Sequence, residues 1–405
     1  MRLLFLMILL TVGYIKTSQA QVDFQKRIQT EFILAEEGAV ISIPPGEYTL
    51  PGSLLMDAKK GVTIKGAGRE KTILSFAKQE TGAEGLKITN CENIVLEGFT
   101  IQDTKGDCIK VQGTKGITFR NVRTEWTGKA SKNNGAYGLY PVQCENVLID
   151  SCEAIGASDA GIYVGQSHQI IVRNSRAYRN VAGIEIENST MADVYNNVAE
   201  GNTGGILVFD LPGLIKKKGG NVRVFNNLVK ANNYKNFAPK GNTVGQVAPG
   251  TGILILAASD IEIFENQIID NKTVGTGIVS YYFTEKPIED EAYYPYPARI
   301  SIHDNLFEKG NNGKMKPTWK HKMGVWLFLK FGRKVPNIMY DGIVEKEFLN
   351  ADGHLKPEHQ ICISNNTNET FLNLNANEGL KSYTTDKDGF DCKQAALEPA
   401  KLLNN

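Results

Sequence analysis

One short phrase recurs along the chain at an almost fixed interval. Gly138-Leu-Tyr-Pro-Val-Gln-Cys-Glu-Asn-Val147 is followed 23 residues on by Gly161-Ile-Tyr-Val-Gly-Gln-Ser-His-Gln-Ile170. After a further 22 comes Gly183-Ile-Glu-Ile-Glu-Asn-Ser-Thr-Met-Ala192, and 22 beyond that Gly205-Ile-Leu-Val-Phe-Asp210. Self-similarity at this period restricts a chain to repeat architectures. Each unit reads as short strands of alternating polarity broken by Gly and Asn/Asp turn signals, with no helix-length amphipathic run. Three short strands per unit, stacked on the next unit, make an all-β parallel solenoid.

A ruler laid from each opening glycine extends the repeat. Position +9 carries Val147, Ile170 and Ala192, and also Ile94, Ile117 and Ile261. From Gly205 the match is Val222, after an insertion near Leu211–Lys218. Position +14 carries Ser175, Asn197, Asn227 and Asn266; position +19 carries Asn180, Asn202, Asn232 and Asn271. These are expected to be amide ladders, each Asn bonding to the next rung and satisfying turn backbone.

The first and last segments differ from the repeats. Met1–Ala20 has Arg2, an apolar run from Leu3 to Ile15, and small residues at Ser18 and Ala20. It reads as a secretory signal peptide cleaved before Gln21, too short to be a membrane span, so the mature chain is expected in the periplasm or outside the cell. Without Arg2 and Lys16 the formal charge passes from +1 to −1, which argues against nucleic acid as a partner. Phe24–Glu36 is expected to cover the first rung as helix or strand, because a solenoid must cap its open end. Beyond Asn305 the pattern dissolves into a basic stretch, Lys309–Lys334, with Trp319, Trp326 and Phe328. Ile361–Asn366 and Thr370–Leu374 read as one more rung, which makes 308–360 an insertion and Asp391–Asn405 a capping tail. The expected organisation is residues 1–20 signal, 21–310 solenoid with N-terminal cap, and 311–405 irregular extension. Of six cysteines, Cys91, Cys144 and Cys152 fall at rung positions and read as small buried fillers; Cys362 and Cys392 could pair in an oxidising compartment.

Ile43-Pro-Pro-Gly-Glu-Tyr48 with Gly61-Val-Thr-Ile-Lys-Gly-Ala-Gly68 resembles the opening of the right-handed β-helix superfamily that includes pectate lyases. The run Gly138–Asp210, with Ser158-Asp-Ala-Gly-Ile-Tyr-Val164, is similar to exported bacterial parallel β-helix repeat proteins, a family without an assigned activity. The resemblance covers about residues 30–310 and implies a single-stranded right-handed parallel β-helix. It implies little about chemistry, because such scaffolds host many functions. The Asp-Pro-His-Glu motif of alginate epimerases and the Gly-His-Gly of polygalacturonases are both missing. So is a Lys–Arg pairing like that of calcium-assisted lyases.

Chemistry is expected on PB1, the sheet formed by the first strands, where outward residues of neighbouring rungs align about 4.8 Å apart. Position +2 reads Lys87, Lys110, Tyr140, Tyr163, Glu185, Leu207, Leu254, Val279; position +4 reads Thr89, Gln112, Val142, Gly165, Glu187, Phe209, Leu256, Tyr281. Extra residues at Glu125–Tyr137, Leu211–Lys218 and Tyr234–Gly250 flank that sheet and would wall in a groove. They bring Trp126, Tyr137, Tyr234 and Phe237, rings suited to stacking on sugars or, alternatively, to covering the Leu207/Leu254/Leu256 patch. Glu185 and Glu187, about 6.5–7 Å apart on one face, could divide acid and base roles, with Tyr163 and Asp159 completing a catalytic group. Lys110, Tyr140, Arg173, Asp210 and His168 are the further substrate-binding candidates, Lys110 and Arg173 as neutralisers of a substrate carboxylate. Asp159, Glu185, Glu187 and Asp210 could instead ligate calcium. The bland alternatives are a solvated pair of glutamates and, for Asp107 and Asp159, turn-capping.

The expectation for function is an exported, monomeric β-helix that binds an extended polysaccharide, with lyase, epimerase or hydrolase action on a uronate-containing chain left open beside binding alone. Its rival is a non-catalytic scaffold that docks a partner protein on the apolar strip Leu207, Phe209, Leu254 and Leu256. An open strip would favour the partner, and a roofed polar pocket the sugar.

Overall fold

The structure, a computed structural model, describes residues 23–310, 322–332, 334–379 and 382–403. The signal-peptide reading of residues 1–20 and the position of Trp319 lie outside the described residues. The strands form three parallel sheets of 11, 11 and 10 strands. PB1 runs from Gly52–Asp57 to Phe371–Asn373, the second sheet from Val40–Ile43 to Ile361–Ser364, and the third from Gly46–Thr49 to Leu306–Glu308. The chain is a right-handed parallel β-helix.

The ruler matches the register. Val147 pairs with Ile170, Ile170 with Ala192, Ala192 with Val222 and Val222 with Ile261. Inward positions stack as apolar columns, such as Ile162, Ile184, Ile206 and Ile253, all fully buried. Each such side chain stabilises the fold by roughly 1.5–3 kcal/mol. The corners between sheets are made by single residues in the left-handed region, where Asn is the least costly residue after Gly: Asn174, Asn188 and Asn196 have φ of 52°, 42° and 54°.

Both amide ladders form. Asn197 donates through its backbone N and through Nδ2 to Asn227 Oδ1, each at 3.0 Å, and the pattern continues to Asn266, Asn305 and Asn366. The second runs Asn180, Asn202, Asn232, Asn271 at 3.0–3.1 Å. The cysteine positions belong to comparable columns: Cys144 N donates to Ser167 Oγ, and Ser167 N to Ser189 Oγ, each at 3.0 Å. Cys91, Cys108, Cys144 and Cys152 are free and buried.

The N-terminal cap is a helix, α1, over 23–34. Ile28 and Phe32 close the end of the core. Gln29 covers the open edge of PB1, accepting from Leu55 N at 2.9 Å and donating to Leu55 O at 2.7 Å. The C-terminal half departs from expectation in two ways. The stretch 308–360 is not wholly an insertion: helix α2, Lys322–Phe331, is followed by Ile338–Tyr340, which returns to PB1 between Val274–Val279 and Phe371–Asn373. The tail does not cap the end of the solenoid. From the Cys362–Cys392 disulfide it runs back across the second sheet, where Gln394 Nε2 donates to Gln360 O, Leu397 N to Glu262 Oε2 and Leu403 N to Asn146 Oδ1. An extended chain laid across strands in this way satisfies its own backbone from outward side chains of successive rungs.

Candidate active site on PB1

The outward columns hold as far as Leu254 and Leu256, with Tyr163 beside Glu185, Gly165 beside Glu187, Glu185 beside Leu207 and Glu187 beside Phe209. At the next rung the true occupants are Gly277 and Val279, not Val279 and Tyr281. The ruler slipped by two residues there because that strand opens with Val274-Gly275, and Tyr281 lies in the following 3-10 turn.

Glu185 and Glu187 are not a solvated pair. They are 2% and 9% exposed, beneath loops that fold over the sheet. Burial, with the charges of Asp159 and Glu187 beside it, holds the Glu185 carboxyl well above the usual range. Burial likewise pushes Glu187, Asp159 and Asp210 each up to about 7. For Glu187 the Tyr163 hydroxyl opposes that shift by donating to Oε1 at 2.6 Å. For Asp159 the Asn242 amide does the same, donating to Oδ2 at 2.7 Å. Glu185 Oε2 and Asp210 Oδ1 are buried and have no hydrogen-bond partner among the described residues. The four carboxyls therefore form one group that holds protons near neutrality.

Three tyrosines cover one side of it. The Tyr137, Tyr140 and Tyr163 ring centroids lie 4.4, 4.5 and 5.1 Å apart, and burial raises all three hydroxyls above their ordinary pKa, Tyr140 to about 12. Gly165 makes this packing fit: a Cβ there would sit 2.2 Å from Tyr163 Oη, so only glycine lets the ring lie over the strand and reach Glu187. Lys110 extends the group by a rung, its Nζ 5.1 Å from the Tyr140 centroid. Asp107 accepts from Tyr137 N at 3.2 Å, a bond to the next rung rather than to the amides of its own turn, and burial pushes its carboxyl up to about 6.

Three candidates lie elsewhere. Trp126 is not a stacking platform: it is 5% exposed within the core, and Nε1 donates to Thr104 O at 2.9 Å. Arg173 points out of the second sheet, paired with Asp150 at 2.9 Å, too far around the solenoid to neutralise a ligand on PB1. His168 opens a second-sheet strand and bonds Thr190, its partner on the next rung, at 2.8 Å. Among the described residues no set of three or more His, Cys, Asp or Glu side chains has the arrangement of a metal-holding group.

The groove is closed rather than open. Leu207, Phe209 and Leu256 are buried, and Val244, Val247 and Phe237 from the 234–250 loop pack on the strip that includes Leu254. It is therefore not an exposed docking face. Of the other loop rings, Tyr234 stays 37% exposed, edge-on to Phe237. Asn242 and the loop between Val279 and Ala298 were not singled out in the sequence. That loop supplies Tyr293, whose hydroxyl donates to Asp210 O at 2.5 Å, and Phe283. Its signal was the long, Tyr-rich gap between two strands.

Residues 84–241 match the family model of the right-handed β-helix region. A comparison with curated proteins finds no match. Among solved structures, the family 28 exopolygalacturonase of Yersinia enterocolitica superposes with a TM-score of 0.51 at 11% identity, over 72% of this chain and 63% of that one. The A-module of the mannuronan C-5 epimerase AlgE6 of Azotobacter vinelandii gives 0.49 at 16%, over 86% and 90%. The exopolygalacturonase of Thermotoga maritima gives 0.45 at 15%, over 68% and 70%. At these identities the likeness is one of fold.

Proposed function

We propose that this right-handed parallel β-helix protein is exported, binds an extended carbohydrate along PB1 and carries out proton transfer on it at Tyr163, Glu185, Glu187 and Asp159. The observation that carries the reading is the burial of four neighbouring carboxyls, Asp159, Glu185, Glu187 and Asp210, on and beside PB1. Three carboxyls pushed up to about 7 and a fourth held higher are poised to give and take protons at neutral pH. Structural carboxylates are ordinarily paired with cations or left in water. Glu187 is the natural base, because ionising it leaves an oxygen already held by the Tyr163 hydroxyl. Glu185, the more firmly protonated, is the natural acid towards a leaving glycosidic oxygen. The same pair serves abstraction of a proton α to a uronate carboxyl followed by elimination or re-protonation, with Lys110 a rung beyond Tyr140 to meet that carboxylate. Asn242 bridges the 234–250 loop to Asp159, so that loop must lift for a sugar chain to enter. The exopolygalacturonase relative is by name an enzyme of polysaccharide on the same scaffold.

The test is a glycan array and a turnover screen on the chain from Gln21 onward, with uronate polymers followed at the absorbance of unsaturated products. Wild type is compared with Glu185→Gln and Glu187→Gln. Product or binding lost in the variants supports the site; binding kept by both moves it off these residues. No binding to any glycan ends the carbohydrate reading.

A further inference from the structure

PB1 continues beyond the acid group into a different environment. One rung past Glu185 and Glu187 stand Leu207 and Phe209, then Leu254 and Leu256, then Gly277 and Val279. Phe209, Leu254, Leu256 and Val279 floor a cavity of about 440 Å³, and Val247 and Phe283 wall it. Gly277, on the next rung, makes room for the Leu254 side chain: a Cβ there would lie 3.0 Å from Leu254 Cδ1. Among the described lining residues Glu285 alone carries a charge, and there is neither Trp nor Tyr.

We infer that this cavity binds a linear acyl chain, carried by the carbohydrate whose polar part lies over Glu185 and Glu187. The acyl half of the inference stands on the cavity alone; its attachment to a sugar rests on the proposed function. Shape favours a chain over a ring. The floor runs from the rung of Phe209 to that of Met339, three rung spacings or roughly 14 Å. Chemistry favours an aliphatic chain over a sugar or a base, since Val, Leu and Thr side chains make up most of the lining and its two rings, Phe209 and Phe283, offer no polar group to a hydroxyl or a base edge. Continuity ties it to the acid group. Phe209 pairs with Glu187 in the sheet, and Thr243 at the cavity wall follows Asn242, which bonds Asp159. A ligand with a polar sugar and an apolar tail would meet the two surfaces in that order along the solenoid axis.

The experiment uses the full chain from Gln21 onward and displacement of N-phenyl-1-naphthylamine fluorescence by 1-alkanols from hexanol to tetradecanol. Affinity is expected to rise about fourfold per methylene and then level off once the cavity is filled. A 6-O-dodecanoyl disaccharide is expected to bind at least tenfold more tightly than its parent disaccharide. Leu256→Trp, which fills the floor, should abolish both effects, whereas Glu187→Gln should leave the alkanol series within twofold. No displacement, or a flat alkanol series in wild type, overturns the inference whether or not the tryptophan variant folds. Equal binding of acylated and parent disaccharide overturns the attachment to a sugar. Failure of the catalytic reading looks different: no turnover of any glycan, with the alkanol series still rising.

Discussion

Replacing Glu187 by Gln should stabilise this protein at alkaline pH and do nothing at acidic pH. Below about pH 4.5 the carboxyl is protonated in folded and unfolded chains alike and carries no penalty. As pH rises from 4.5 the unfolded chain ionises, while the folded chain keeps its proton until about pH 7. Stability therefore falls across that window and levels off above it. A displacement from 4.5 to about 7 corresponds to about 3 kcal/mol at pH 8. Gln keeps the oxygen that accepts from Tyr163 and cannot ionise, so it removes the penalty while retaining the 2.6 Å bond. For a chain of this length about 3 kcal/mol is about 4 °C in Tm. Scanning calorimetry of both proteins from pH 4.5 to pH 9, with urea unfolding at the two extremes, measures the difference. The expected result is coincidence at pH 4.5 and a gap opening in favour of the variant through pH 7. A variant equally or less stable at pH 8 would refute the claim that burial makes Glu187 a proton holder.

Other outcomes follow from the same geometry. Gly165→Ala places a methyl 2.2 Å from Tyr163 Oη, and should cost about 1–3 kcal/mol with loss of any Glu187-dependent activity, read by urea unfolding and turnover. Asn227→Ala removes the acceptor of Asn197 N and Nδ2 in a fully buried ladder; a loss of about 2–4 kcal/mol in urea unfolding is expected from the orphaned donors, well beyond that of an exposed Asn. Asn242→Ala removes the bond that holds the Asp159 pKa down, so the Asp159 carbonyl stretch followed by infrared titration should move to higher pH. Reducing Cys362–Cys392, which closes a 30-residue separation, should cost roughly 4 kcal/mol on loop entropy and speed amide exchange at Leu397 and Leu403, whose N–H groups bond outward side chains of the second sheet.

What the sequence by itself determined is whatever repeats. The rungs, the register from Ile94 to Ile261, and the ladders from Asn197 and Asn180 could be read from spacing because each rung sees only its neighbours, so local turn chemistry and a fixed period suffice. The ruler failed where the period did, at Gly277 and at the return of Ile338–Tyr340 to PB1. Periodicity also places a side chain on the outer face, but not in water. Glu185 and Glu187 were correctly set outward, yet their burial depends on loops from distant rungs, such as Asn242 reaching Asp159 across 83 residues and Tyr293 reaching Asp210 across the same separation. Those contacts have no period, and loops of this length are placed by packing rather than propensity. Tertiary structure alone therefore decided that Glu185 and Glu187, with Asp159 and Asp210 at the ends of neighbouring strands, are buried beneath loops that raise their pKa values instead of standing charged on an open sheet.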